Sequence, residues 1–165
     1  TGYGIEFDFR KRLDFASALT NFTFQTNLSY IFNKVNDPKV KINRPMQGQS
    51  PYVINGSLQY DIGKAGISTT LLFNQVGRRI LYVGNEQVPE IWENARPLLD
   101  FQIAKKVLNN KGDIRLNISD IFNKRAYFYH DVDKSKNLKL GSTDVIAISR
   151  NYGTTVSISF GYSIK

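Results

Sequence analysis

The segment "GTTVSISFGYSIK" (Gly153–Lys165) alternates strictly. Val156, Ile158, Phe160, Tyr162 and Ile164 are apolar or aromatic, and Thr155, Ser157, Ser159, Gly161 and Ser163 between them are small and mostly polar. A period of two marks a β-strand with one oily face. What each face meets decides the fold.

The pattern recurs along the chain. "GYGIEFDFR" (Gly2–Arg10) sets Tyr3, Ile5, Phe7 and Phe9 against Glu6, Asp8 and Arg10. "NFTFQTNLSYIFNK" (Asn21–Lys34), "PYVINGSLQYDI" (Pro51–Ile62) and "GISTTLLFNQVG" (Gly66–Gly77) alternate likewise, the last less cleanly because Leu72 and Val76 fall on its polar side. "RPLLDFQIAKKVL" (Arg96–Leu108) and "DIRLNISDIF" (Asp113–Phe122) complete seven strands. They are long beside the usual five or six residues, and no segment sustains a helical period. The connections alternate in length. "LDFASALT", "GKAG" and "NNKG" are short, the latter two reading as Gly-bearing hairpin turns, while Val35–Ser50, Gly77–Arg96 and Ala126–Arg150 are long. Long and short connections therefore lie at opposite ends of one antiparallel meander.

Three features favour a transmembrane barrel over a soluble β-sandwich. The polar face carries Ser, Thr, Asn, Gln and Gly, which suit a crowded hydrated interior better than an open surface. The aromatics fall into two groups: Tyr30, Phe32, Tyr52 and Tyr152 toward the long connections, and Phe7, Phe9, Phe22, Phe24, Tyr60 and Tyr162 toward the short ones. Amphipathic rings gather at the two head-group layers of a bilayer. Finally, a strand from Tyr152 to Ile164 would run roughly 40 Å and, tilted by about 45°, cover about 28 Å, near the ~25 Å apolar band of such barrels. On this reading Tyr152, Val156, Ile158, Phe160, Tyr162 and Ile164 face lipid. Glu6, Asp8, Arg10, Asn55, Gln59, Arg115, Asn117 and Ser157 face a wet lumen. Lys105 falls on the lipid side near the lower boundary, where its stem can lie along the surface and its ammonium reach water.

The totals agree. The 165 residues carry a net charge of +8, no Cys and a single His, His130, so disulfides, thiolate metal sites and histidine clusters are excluded. No apolar run is long enough for a transmembrane helix. A mean hydropathy of −0.32 does not exclude a barrel, since only half of each strand meets lipid. The positive residues are scattered, which disfavours nucleic acid and suits anionic head groups or an anionic ligand. Seven strands break the even count of bacterial barrels, and an open edge in hydrocarbon is costly. The expectation is therefore a C-terminal barrel segment over residues 1–165, completed by strands outside this chain, and the runner-up is one small barrel with an eighth strand inside a long connection.

Within the long connections, Arg44, Arg78, Arg79, Tyr82, Trp92, Tyr127 and Tyr129 are the ligand-binding candidates. Paired guanidinium groups can clamp a carboxylate or phosphate, but an ion pair with a neighbouring strand is the favoured reading of Arg78 and Arg79. Trp92 can stack on a ligand ring, although a loop Trp more often packs its own loop. His130 with Asp131 and Asp133 is set aside as a metal site, and the two carboxylates lack the Gly and Glu positions of a calcium loop. No cofactor, no metal and no catalytic set is expected.

"NRPMQGQSPYVINGSLQYD" (Asn43–Asp61), "RPLLDFQIAKKV" (Arg96–Val107) and "LNISDIFNKRAYFY" (Leu116–Tyr129) resemble, in that order, segments of the TonB-dependent outer-membrane receptors of the Bacteroidetes type. The resemblance implies a 22-stranded barrel holding an N-terminal plug, and import of a bulky solute driven by the TonB energy-coupling protein. It also implies outer-membrane lipid and lipopolysaccharide as surroundings, with a surface lipoprotein as a further partner. Strands that close these receptors often end on an aromatic; here the end is Ile164-Lys165, and recognition by the assembly machinery would rest on Phe160, Tyr162 and Ile164. A passive porin or structural barrel subunit is the alternative, and a soluble β-sandwich binding module the third reading.

Overall fold

A computed structural model describes residues 1–37, 42–85, 87–141 and 143–164. The expected terminal Lys165 lies outside the described residues. In chain order the strands are β1 (Gly2–Arg12), β2 (Phe22–Asn33), β3 (Val35–Asp37), β4 (Ile42–Arg44), β5 (Tyr52–Ile62), β6 (Ile67–Val76), β7 (Arg79–Tyr82), β8 (Ile91–Glu93), β9 (Arg96–Val107), β10 (Gly112–Ser119), β11 (Ala126–His130), β12 (Val145–Arg150) and β13 (Thr155–Tyr162). β1-β2-β5-β6-β9-β10-β13 form one seven-stranded antiparallel sheet in that order, the meander expected from the alternation.

Register makes the two faces continuous. Phe24, Leu58, Leu71, Phe101, Ile118 and Val156 lie side by side across six strands. The adjacent row is Thr23, Gln59, Thr70, Gln102, Asn117 and Ser157. A slip of one residue in any strand would push amides into the oily row. The oily face is uncovered: Ile5 is 73% and Ile158 75% exposed. Among the described residues, the buried apolar side chains are Ile80, Ala126, Phe128 and Tyr129, all outside this sheet. A soluble sandwich would bury the sheet's own Phe, Tyr and Ile, and it does not.

Amides stitch the polar face together. Asn74 Nδ2 donates to Asn55 Oδ1 (2.6 Å), Asn55 Nδ2 to Asn27 Oδ1 (3.3 Å), and Asn27 Nδ2 to both Glu6 Oε1 (2.7 Å) and Asp8 Oδ1 (2.9 Å). A second thread runs from Gln102 Nε2 to Asn117 Oδ1 (2.6 Å) and from Asn117 Nδ2 to Ser157 Oγ (3.4 Å). Thr26, on the oily side, turns its hydroxyl onto the Asn55 carbonyl (2.8 Å), so it exposes no free donor there.

Four sequence expectations change. β13 begins at Thr155, so Tyr152 is not in the closing strand; the left-handed Gly153 (φ 79) separates them, and the Tyr152 ring lies 5.1 Å beneath the Arg96 guanidinium. Ile164 lies beyond the last strand residue, and the strand is correspondingly shorter than the expected span. Phe7 sits mid-strand opposite Leu28 rather than in a lower belt. In the "NNKG" turn the left-handed residues are Leu108, Asn109 and Asn110 (φ 53, 52 and 68), while Gly112 belongs to β10, where an added Cβ would come within 3.2 Å of the Gly161 carbonyl.

The larger omission is a second sheet. The long connections contain a four-stranded sheet, β12-β11-β8-β7, and the pair β3-β4. The "RPMQGQSPY" strap joins this sheet to the wall. Met46 N donates to Asn33 Oδ1 (2.7 Å), Gln47 Nε2 to the Leu81 carbonyl (2.8 Å), left-handed Gly48 N to the Ile80 carbonyl (2.9 Å), and Ser50 Oγ to the Gly77 carbonyl (2.8 Å).

Asn55 is both acceptor and donor in the first amide thread. Replacing it with Leu strands the Asn74 amide, and Asn55→Leu is expected to cost about 1 kcal/mol. The check is the temperature at which the folded band is lost in gel heat-modification, which should fall without loss of assembly.

Candidate functional site

The loop sheet is where side chains of different elements converge. Arg78, at the exit of β6, is the hub. Its guanidinium stacks on the Trp92 ring (3.8 Å to the centroid), and Nη1 donates to Tyr129 Oη (3.0 Å) and to Asp131 Oδ2 (2.8 Å). Trp92 comes from β8, Tyr129 from β11, and Asp131 follows β11. The side chains of Arg78 and Asp131 are 15% and 5% exposed, so this pair is largely out of water. Burial pushes the Tyr129 phenol above its ordinary value, and the neighbouring Arg78 guanidinium only partly opposes that.

The other loop candidates disperse. Arg79 Nε pairs with Glu93 Oε2 (2.7 Å) across the β7–β8 ladder, and Arg44 Nε lies 4.0 Å from Glu90 Oε1. Tyr82 is 58% exposed at the end of β7, and Tyr127 lies opposite Ser149 in the β11–β12 ladder. Arg78 and Arg79 therefore engage separate acids, and Trp92 is capped by Arg78. That is the packing and ion-pair reading rather than an open clamp.

On the polar face of the wall, Glu6, Asp8, Asn55, Asn117 and Ser157 belong to the amide threads. Gln59 Nε2 donates to Asp61 Oδ2 (2.9 Å), Arg115 Nε pairs with Asp113 Oδ2 (2.7 Å), and Arg10 lies opposite Gln25. A hollow of ≈920 Å³ lies at the short-turn end of this face among Lys64, Lys106, Lys111, Asp113 and Arg115. It is a broad open recess far from the loop sheet.

Sequence reasoning missed two residues. Asp144, just before β12, and Lys139 fold back onto the segment after β11. Lys139 Nζ lies 2.5 Å from Asp133 Oδ2, and Lys139 N donates to Asp144 Oδ2 (2.8 Å). The Lys139 ammonium holds the Asp133 carboxyl well below the usual carboxylate range, and Asp133 raises Lys139 in return. His130, weighed with these acids, points elsewhere: its Nδ1 lies 3.1 Å from the Glu90 carbonyl. The alternating Asp131-x-Asp133-x-Ser135 was the available signal; Asp144 is too distant in sequence to join it.

Compared with known families, residues 1–161 match the model of an outer membrane protein beta-barrel family. No match was found among curated proteins or among solved structures.

Removing Arg78 leaves Asp131 buried and uncompensated, a change that typically costs about 3–5 kcal/mol locally. Arg78→Ala is expected to preserve barrel assembly, judged by heat-modification, while protease cleavage within Gly77–Arg96 and Ala126–Arg150 increases and Trp92 emission shifts to the red.

Proposed function

The chain belongs to the outer membrane protein beta-barrel family, whose place is the bacterial outer membrane, and on that premise we propose that it forms wall and outer loops of a TonB-dependent receptor importing a bulky solute. The observation that carries the reading is the loop sheet: a packed, ion-paired platform built on the long connections of a membrane wall. A receptor needs a stable outer surface to hold a scarce solute before its entry. The sequence resemblance supplies the energy-coupled step.

In this reading the oily face meets hydrocarbon and the amide face lines the lumen. Among the described residues β1 pairs with β2 alone and β13 with β10 alone. Each unpaired group in hydrocarbon costs several kcal/mol, so further strands complete the wall around a plug. The basic balance of +8 suits lipopolysaccharide phosphates. The plug region contacts TonB, and a surface lipoprotein can cover the loops. The chain itself performs no catalytic step.

Two measurements test this. Ile158→Arg places a charge near the middle of β13 on the oily face, where about 2–4 kcal/mol is expected to be lost, and assembly should fail; Ser157→Arg should assemble. Equal folded fractions on a gel would reverse the orientation. Second, the full-length protein in a planar bilayer should show no steady ion conductance, and uptake in cells should stop when the proton gradient is collapsed. Steady conductance with uptake that survives uncoupling would identify a passive pore.

A further inference from the structure

The connection between β11 and β12 begins and ends on an aspartate, Asp131 and Asp144, and folds so that the two meet. With Asp133, each offers a carboxylate oxygen, and the three oxygens lie within 4.8 Å of one another. Two of these acids are hardly solvated: the Asp131 side chain is 5% exposed and Asp144 is 8% exposed. A buried carboxylate without full compensation is strongly disfavoured.

The compensation is incomplete, and the shortfall is specific. Asp131 Oδ2 accepts from Arg78 Nη1 (2.8 Å) and Lys136 N (3.1 Å), and Asp144 Oδ2 accepts from Lys139 N (2.8 Å). Asp133 uses both oxygens, Oδ1 for Ser135 N (3.0 Å) and Oδ2 for Lys139 Nζ (2.5 Å). Asp131 Oδ1 and Asp144 Oδ1 are buried and accept no hydrogen bond from any described residue. Buried polar atoms almost always have a partner. Two orphaned carboxylate oxygens in one cluster of acids call for a positive ligand that supplies no hydrogen-bond geometry of its own.

We propose that Asp131, Asp133 and Asp144 form a divalent-cation site in the outer loops, with Ca²⁺ as the ion that fits. The donors are all hard oxygens, the choice of Ca²⁺ or Mg²⁺ rather than of zinc or copper. His130, the one nitrogen donor nearby, is engaged with the Glu90 carbonyl. Ca²⁺ tolerates the irregular, flexible ligand sets that loops provide, whereas Mg²⁺ demands a near-ideal octahedron. The loop also turns sharply after Ser135, where Lys136 takes the left-handed conformation (φ 66) that calcium loops reserve for glycine.

Lys139 is the competitor. Its side chain is 49% exposed, and its ammonium is paired with Asp133. Three carboxylates face two cationic partners, Arg78 and Lys139. Entry of Ca²⁺ releases Lys139 to water and turns Asp133 inward. That exchange keeps affinity in the range of extracellular modules, a Kd of about 10⁻⁴–10⁻³ M. Bound ion would tie the β11–β12 connection to the loop sheet through Asp131, Arg78 and Trp92, whatever the barrel imports.

The test uses the full-length protein in detergent and Tb³⁺ as probe, its luminescence excited through nearby Trp92 and Tyr129, with Ca²⁺ as competitor. The expected result is a Tb³⁺ signal displaced by millimolar Ca²⁺ and poorly by Mg²⁺. Asp144→Asn should weaken it at least tenfold, Lys139→Met should strengthen it severalfold, and Asp14→Asn, at the short-turn end, should leave it unchanged. Heat-modification verifies that each variant is folded. Absence of a Ca²⁺-displaceable signal in both the native protein and Lys139→Met overturns the proposal. So does a signal equally strong in folded Asp144→Asn, or one that Lys139→Met fails to strengthen.

Discussion

An amide in hydrocarbon has no water to fall back on, and this one constraint organises the chain. Each wall strand must satisfy its N–H and C=O groups on its neighbours. The meander does so with short connections at one end, leaving the other end free to carry long loops. Register follows from the same constraint: a slip would cost not only ladder bonds but the sorting of oily from polar rows. Even Thr26, a polar residue on the oily face, hides its hydroxyl on the Asn55 carbonyl.

The polar face solves a different problem. Amide side chains are poor surface residues in number, yet here they form threads across neighbouring strands, Asn74 to Asn55 to Asn27 to the acids of β1. Such bonds are individually modest. Their effect is to hold side chains against the wall and leave the space beyond them clear. One neutral amide, Asn27 Nδ2, bonds both acids of β1, which orients the two carboxyl groups without cancelling their charge.

The wall was legible in the sequence because its strands are long and meet two unlike media. Ten or so alternating residues leave little doubt about the period, and the seven stretches pair in the expected order. The loop sheet was not legible, for the same reason inverted. β7, β8 and β11 are three to five residues long, too short to display a period. "AYFYH" buries Phe128 and Tyr129 in adjacent positions, so alternation fails outright. The site was legible in part. Arg78, Trp92 and Tyr129 were candidates and Asp131 was weighed only as a metal ligand and set aside; their convergence depends on ladders that no local pattern reveals. Asp144 carried no local signal. The expected placement of Tyr152 failed because alternation was extended through Gly153, whose left-handed backbone ends the strand's reach.

The strap Arg44–Tyr52 ties the loop sheet to the membrane wall. Its backbone and side chains bond Asn33 at the end of β2, Gly77 at the exit of β6, and Ile80 and Leu81 within β7. Gly48 takes a positive φ of 75 to aim its N–H at Ile80, and Pro51 offers its carbonyl to Ile31. The segment thus serves as a joint. Such a joint needs no ligand: it rests on these donors, a left-handed glycine and a proline that ends one element before the next begins. On that argument, the motif preserves the surface on which exposed residues such as Tyr82 are displayed.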